Sequence, residues 1–201
     1  MIEPLTLTPD ESAYPQRLLQ TLGDEAPRRL ACLGNVALLE PPLLAIFSSV
    51  KCPASLIMAA HDVAHTLRDN AIATISGFHA PVEKEMLTVL LAGKQPVVVV
   101  VARGLETMRV PSAWKSALDA GRLLILSPFS AQHRRSTQNM ALTRNRVVAG
   151  TAASVLFCHA APGGKTEAFA REVLLWNKPC FTLKSSSNTN LLAIGLQLFD
   201  L

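Results

Sequence analysis

The sequence predicts an α/β domain whose doubly wound, mostly parallel sheet of about six strands lies between helices in a three-layer αβα arrangement. Three observations carry this. Short apolar runs alternate with helix-period segments from residue 43 onward, and parallel neighbours require such long crossovers. Of the 201 residues, 49% are apolar and only 17% charged, which suits a sheet covered on both faces. The length is that of one ordinary domain.

Each element follows from local pattern. Residues 1–40 form a lead-in segment packed on the main domain, with a short helix after Tyr14-Pro15 that breaks at Gly23-Asp24 and Pro27. The main domain, residues 41–201, begins after Pro41-Pro42 with the buried strand LLAIFS (43–48). Residues 53–69 open with Pro and space Leu56, Ala60, Val63 and Leu67 on one helical face. AIATIS (71–76) is a strand and PVEKEMLTVLLAGK (81–94) an amphipathic helix. PVVVVV (96–101) is the least ambiguous strand, because β-branched residues fit a pleated, doubly covered position. A short helix over 111–120, the strand RLLILS (122–127), a helix over 138–151 and the strand ASVLFC (153–158) continue the alternation. GKTEAFAREVLLWN (164–177) is a helix, PCFTL (179–183) a strand and NLLAIGLQLF (190–199) a terminal helix. The pattern is Rossmann-like, and in such sheets ligands bind beyond the carboxyl ends of the strands.

The N-terminus, MIEPLTLTPDE, carries acids where a secretory signal would carry cations, and no apolar run reaches membrane-spanning length. A cytoplasmic protein with no membrane partner is expected. Cys32, Cys52, Cys158 and Cys180 have no metal-ligand spacing and read as small core residues. There is no GxSxG and no HExxH, so no catalytic residue, metal ligand or cofactor is assigned. The net charge of +4 is modest, but its distribution is uneven: no acid lies between Asp119 and Glu167, where Arg122, Arg134, Arg135, Arg144, Arg146 and Lys165 all fall. One surface is therefore expected to be positive.

The loops at the carboxyl ends hold the candidate phosphate or nucleic-acid contacts. In HAAPGGKTE (159–167), Gly163 and Gly164 lead into a helix start suited to an anion, and Lys165 and Thr166 add a charge and a hydroxyl. The plain alternative is a tight turn. In SSVKCP (48–53), Ser49 and Lys51 are candidates, against the alternative of serines capping the next helix. In SGFHAP (76–81), Ser76 and Gly77 turn the chain at the ligand edge, and His79 is either a base or phosphate contact or a surface residue. Arg144, Asn145 and Arg146 belong to HRRSTQNMALTRNR (133–146), where arginines suit phosphate, or pair instead with carboxylates such as Glu83 or Glu85.

Taken together these segments resemble the DprA/Smf (DNA-processing protein A) family. TRNRVVAGTAASVLFCHAAPGGKTEAFA (143–170) is similar to its RNR-[IV]-[IV]-A-G segment and the strand and S-G-[ST] loop that follow. TISGFHAPVEKEML (74–87) resembles SG-x-A-x-G-I-D, and SNTNLLAIG (187–195) resembles G-[ST]-N-x-L. Departures fall at the ligand edge: Ser48 replaces a glycine, Val50 with Lys51 stands where the family has arginine, Pro81-Val82-Glu83 replaces Gly-Ile-Asp, and Pro128 replaces a glutamate. The resemblance implies a diverged member without the C-terminal winged helix. It further implies a homodimer that binds single-stranded DNA in a basic pocket and meets a RecA-like recombinase. Two other readings stay open: a nucleotide-binding sensor, and a LOG-type nucleoside monophosphate phosphoribohydrolase, whose PGG-x-G-T-x-x-E resembles PGGKTE (162–167) with one glycine missing.

Overall fold

The computed structural model describes residues 4–106, 108–133 and 136–200, so Arg134 and Arg135 of the basic stretch lie outside the described residues. In chain order the regular elements are β1 (Leu5–Leu7), α1 (Gln16–Leu22), β2 (Leu30–Gly34), β3 (Leu44–Ser48), α2 (Ala54–Asp69), β4 (Thr74–Ser76) and α3 (Pro81–Leu91). They continue with β5 (Val97–Val100), α4 (Ser112–Asp119), β6 (Leu123–Ser127), α5 (Gln138–Thr151), β7 (Ser154–His159), α6 (Lys165–Leu174), β8 (Cys180–Thr182), α7 (Thr189–Ala193) and β9 (Gln197–Leu198).

The sheet order is β1-β2-β6-β5-β4-β3-β7-β8-β9. Every pair from β6 to β9 is parallel, whereas β1 with β2 and β2 with β6 are antiparallel. The chain winds outward from β3 through β4 and β5 to β6, then returns to place β7 on the other side of β3. The order therefore reverses between β3 and β7, and their carboxyl ends open the crevice where such sheets bind ligands.

The strands are doubly covered, as their apolar runs require. Along β5, Val97 and Val99 face one core while Val98 and Val100 face the other, and β3, β6 and β7 alternate in the same way. Complete burial of each such side chain stabilises the fold by roughly 1.5–3 kcal/mol. One core packs under α2, α3 and α4, the other under α1, α5, α6 and α7.

Three strands exceed the expected six. β1 and β2 arise within the lead-in, and β2 joins the sheet through β6, with Ala31 opposite Ser127. The terminal helix predicted over 190–199 is a short helix and a strand instead. Gly195 adopts a φ of 107°, a conformation that stops a helix, and β9 then pairs with β8 through Gln197 and Phe181.

Candidate nucleic-acid interface

At the crevice the structure forms a cavity of about 450 Å³ between α5 and α6, with the ends of β3 and α3 as its floor. Phe47 and Phe169 supply an apolar wall, with Val50 and Leu142 at the rim. That wall is fixed: the Phe47 ring stacks on Phe157 at 5.4 Å and meets Phe169 edge-on at 5.2 Å. The charged and polar lining includes Arg144, Asn145, Lys165, Thr166 and His79, together with the carboxylates Glu83 and Glu172.

Arg144 is the buried cation of this cleft, 7% exposed, and its Nε donates to Asn145 Oδ1 at 2.7 Å. Its guanidinium lies against the backbone of Gly77. A Cβ at position 77 would stand 1.8 Å from Nη1, so any side chain there would have to displace the guanidinium; close approach, and not its own dihedral, is what favours glycine. Burial pulls the Arg144 pKa down and the charge of Glu83 opposes that shift. A guanidinium keeps its proton throughout the working pH range.

Glu83 organises the floor. Pro81 starts α3, which puts Glu83 in its first turn, where a carboxylate can reach back to the helix-start amides. It accepts from Ser48 N at 2.9 Å, His79 N at 2.8 Å and Ala80 N at 3.3 Å. One side chain thus ties the loop after β3 to the loop after β4. Burial pushes the Glu83 carboxyl up, against the pull of those amides and of Arg144. The loop after β4 also contains Phe78 at a φ of 44°, a left-handed conformation that costs a bulky residue about 1–2 kcal/mol. Ser76 holds the turn, donating to Ile46 O at 2.7 Å and accepting from Phe78 N at 3.1 Å. His79 is held below its ordinary pKa by burial and by the nearby Arg144 and Lys84 charges.

The loop after β7 is closed in a parallel way. Glu167 accepts from Gly163 N at 3.0 Å, Asn190 Nδ2 at 2.7 Å and Arg171 Nη2 at 2.7 Å. Those donors hold its carboxyl below the usual range, Asn190 most strongly. Gly163 takes a φ of 67° and Gly164 N donates to Ala161 O at 2.9 Å. The two glycines therefore make a tight turn whose amides are satisfied within the protein. Ser49 behaves likewise, with its amide on His159 O and its hydroxyl accepting from Ala161 N at 3.1 Å.

Of the residues singled out from sequence, the cleft brings together His79, Arg144, Asn145, Lys165 and Thr166. Gly77 acts behind them, and Ser49, Ser76, Gly163 and Gly164 shape the loops. Lys51 is exposed and lies outside the cavity lining. Arg146 turns away to pair with Glu172 at 2.6 Å and Glu25 at 3.4 Å, rather than with Glu83 or Glu85. Sequence reasoning missed Phe47, Phe169 and the organising role of Glu83. Only the position of Glu83, two residues after Pro81, hinted at a helix-start carboxylate. Among the described residues no group of three or more His, Cys, Asp or Glu is placed to hold a metal ion. No helix among them is long and apolar enough to cross a membrane.

Fold and cleft together define a Rossmann-like α/β protein with cations at its strand-order reversal. A profile of the DNA recombination-mediator protein A family matches residues 5–196, and the chain belongs to that family. The DNA processing protein A of Streptococcus pneumoniae superposes with a TM-score of 0.82 at 20% identity, covering 98% of this chain and 71% of that one. The Helicobacter pylori protein, described by its single-stranded DNA binding mode, gives 0.77 at 21% identity over 98% and 90%. The molybdenum cofactor carrier protein of Chlamydomonas reinhardtii shares the fold more distantly, at 0.54 and 11% identity over 80% and 91%. No curated protein sequence matches the chain.

Proposed function

We propose that this protein binds single-stranded DNA in the cleft between α5 and α6 and serves DNA processing and recombination as a binder without catalysis. The observation that carries the reading is the convergence of Arg144 and Lys165 on one cavity with a fixed aromatic wall. The two cations neutralise backbone phosphates, Thr166, Asn145 and His79 offer hydrogen bonds, and the wall takes the apolar face of a sugar or base. Family membership and the binding mode named for the Helicobacter pylori relative support the same ligand. Membership is also what supports a homodimer, a RecA-like recombinase partner and a cytoplasmic site of action. The phosphoribohydrolase reading is disfavoured, because Glu167 is engaged by Gly163, Asn190 and Arg171 and does not line the cleft.

Fluorescence anisotropy of a labelled oligonucleotide across a salt series tests the proposal. Lys165 is exposed, so Lys165→Ala leaves the fold intact. It is expected to weaken binding and to lower the slope of log K against log salt by about 0.7, the loss of one single-strand phosphate contact. Binding that ignores salt, or is unchanged by Lys165→Ala, overturns the reading. A nucleoside monophosphate that binds as tightly as an oligomer replaces DNA with a nucleotide, a ligand the 450 Å³ cavity also suits.

A further inference from the structure

A second set of ligating side chains lies on α2, across the sheet from α5 and α6. The segment HDVAH places His61 and His65 one helical turn apart on the same face. Their ring centroids are 4.6 Å apart with planes inclined by 56°. Leu56, Ala60, Ala64 and Leu67 bury the opposite face of this 16-residue helix. That anchoring holds the imidazole pair outward, His61 exposed and His65 partly so.

Among the described residues no neighbouring polar side chain makes a hydrogen bond or ion pair with the rings. Thr66 donates to the Asp62 carbonyl, Asn70 to the Thr66 carbonyl, and Arg68 pairs with Asp69. Among the described residues neither imidazole has a hydrogen-bond partner. The other histidines differ: His159 is buried with Nδ1 on Asn188 Oδ1, His133 meets Ser130, and His79 lines the cleft. Met58, 66% exposed and one turn before His61, extends the donor stripe with a thioether.

Two imidazoles at this spacing, on a helix that fixes their separation, are the geometry with which helical His pairs hold zinc. We propose that His61 and His65 form a two-point chelate for a late first-row divalent ion, with water completing its shell. Imidazole suits Cu²⁺, Ni²⁺ and Zn²⁺, whereas the hard cations Mg²⁺ and Ca²⁺ prefer oxygen. The site is open, in keeping with the lack of a third protein ligand among the described residues. It is also distinct from the cleft, whose lining includes no residue of α2.

Calorimetric titration of the untagged full chain with Ni²⁺, alongside Mg²⁺, tests the site. One equivalent of Ni²⁺ is expected, with no Mg²⁺ binding. His61→Ala and His65→Ala should each weaken Ni²⁺ by at least about tenfold, since the second imidazole no longer acts at high effective concentration. His133→Ala should change nothing. Both substituted positions lie on the outward face of α2, and an unchanged circular dichroism spectrum confirms that the variants fold. Ni²⁺ should raise the Tm of the native chain and not that of the double variant, because it binds the folded helix. Equal binding by native and His61→Ala protein, equal loss in His133→Ala, or equal affinity for Mg²⁺ overturns the proposal.

Discussion

At the first turn of α3, Glu83 accepts the amides of Ser48, His79 and Ala80; at the first turn of α6, Glu167 accepts the amide of Gly163 and the side chains of Asn190 and Arg171. Both helix starts face the carboxyl edge of the sheet, where free amides and the helix dipole would attract a phosphate. In both, a protein carboxylate already accepts the loop amides that precede the helix. Side-chain cations, Arg144 and Lys165 above all, add to the attraction of this cleft for an anion. Both residues are shielded from solvent, 5% and 7% exposed, and the two carboxylates differ in their partners. Glu83 is deeply buried beside an equally buried cation and its pKa is raised; Glu167 reaches the exposed Arg171 and its pKa is lowered.

That difference predicts opposite behaviour. Glu83→Ala leaves three amides without their acceptor and the buried Arg144 without a nearby opposite charge, and should cost about 3 kcal/mol or more in denaturant unfolding. Glu167→Ala should cost less, about 1–2 kcal/mol, because the exposed Arg171 is hydrated when its partner is removed. The pH dependence separates them by sign. A raised folded pKa means that the Glu83 contribution is fully present below the unfolded value of about 4.3 and is lost as pH rises through the folded pKa. The lowered pKa of Glu167 means that its contribution is present above about 4.3 and is lost as pH falls through the folded pKa. Unfolding curves of Glu83→Gln and Glu167→Gln across pH should therefore depart from the native profile in opposite directions. Departures of the same sign would show that the two helix starts share one setting.

Gly77→Ala sharpens the comparison from the cation side. Its Cβ would stand 1.8 Å from Arg144 Nη1, so the guanidinium must move away from the α3 start, at a cost of about 1–3 kcal/mol for the overpacked site. DNA affinity should fall with it, while Lys165 and the Glu167 network stay in place. A variant that loses stability but keeps the native salt slope would remove Arg144 from the interface.

The frame of the molecule was legible because β3, β5, β6 and β7 are continuous apolar runs that two cores demand. β2 was not, since LACLG is short and gains its pairing from Ser127 and its neighbours, almost a hundred positions away. The same physics divides the site. Arg144 and Lys165 were visible as charges in an acid-free stretch. The reason for Gly77 was invisible because it rests on a side chain from α5, and Glu83 was hidden because Ala80 replaces the Ser or Thr that would have marked a capping box. The glycines after β7 read as an anion site because the Glu167 carboxylate that takes the Gly163 amide is itself held by Asn190, a residue from another element.

The smallest effect is expected one turn from the cleft, where Arg144 and Arg146 share a helix and a motif but not a setting. Arg146 is 37% exposed at its side chain and pairs with Glu172 and the more exposed Glu25, so Arg146→Ala should cost no more than about 1 kcal/mol. Its effect on binding is indirect. Glu172 lines the cavity, and loss of its partner leaves an uncompensated negative charge beside Arg144 and Lys165. DNA affinity should drop a few-fold at low salt and recover toward the native value as salt screens that charge. The salt slope should therefore become shallower without the loss of a phosphate contact. Double substitution with Glu172→Gln distinguishes the two cases: affinity is restored if Arg146 acts by neutralising Glu172, and stays low if Arg146 touches the DNA itself.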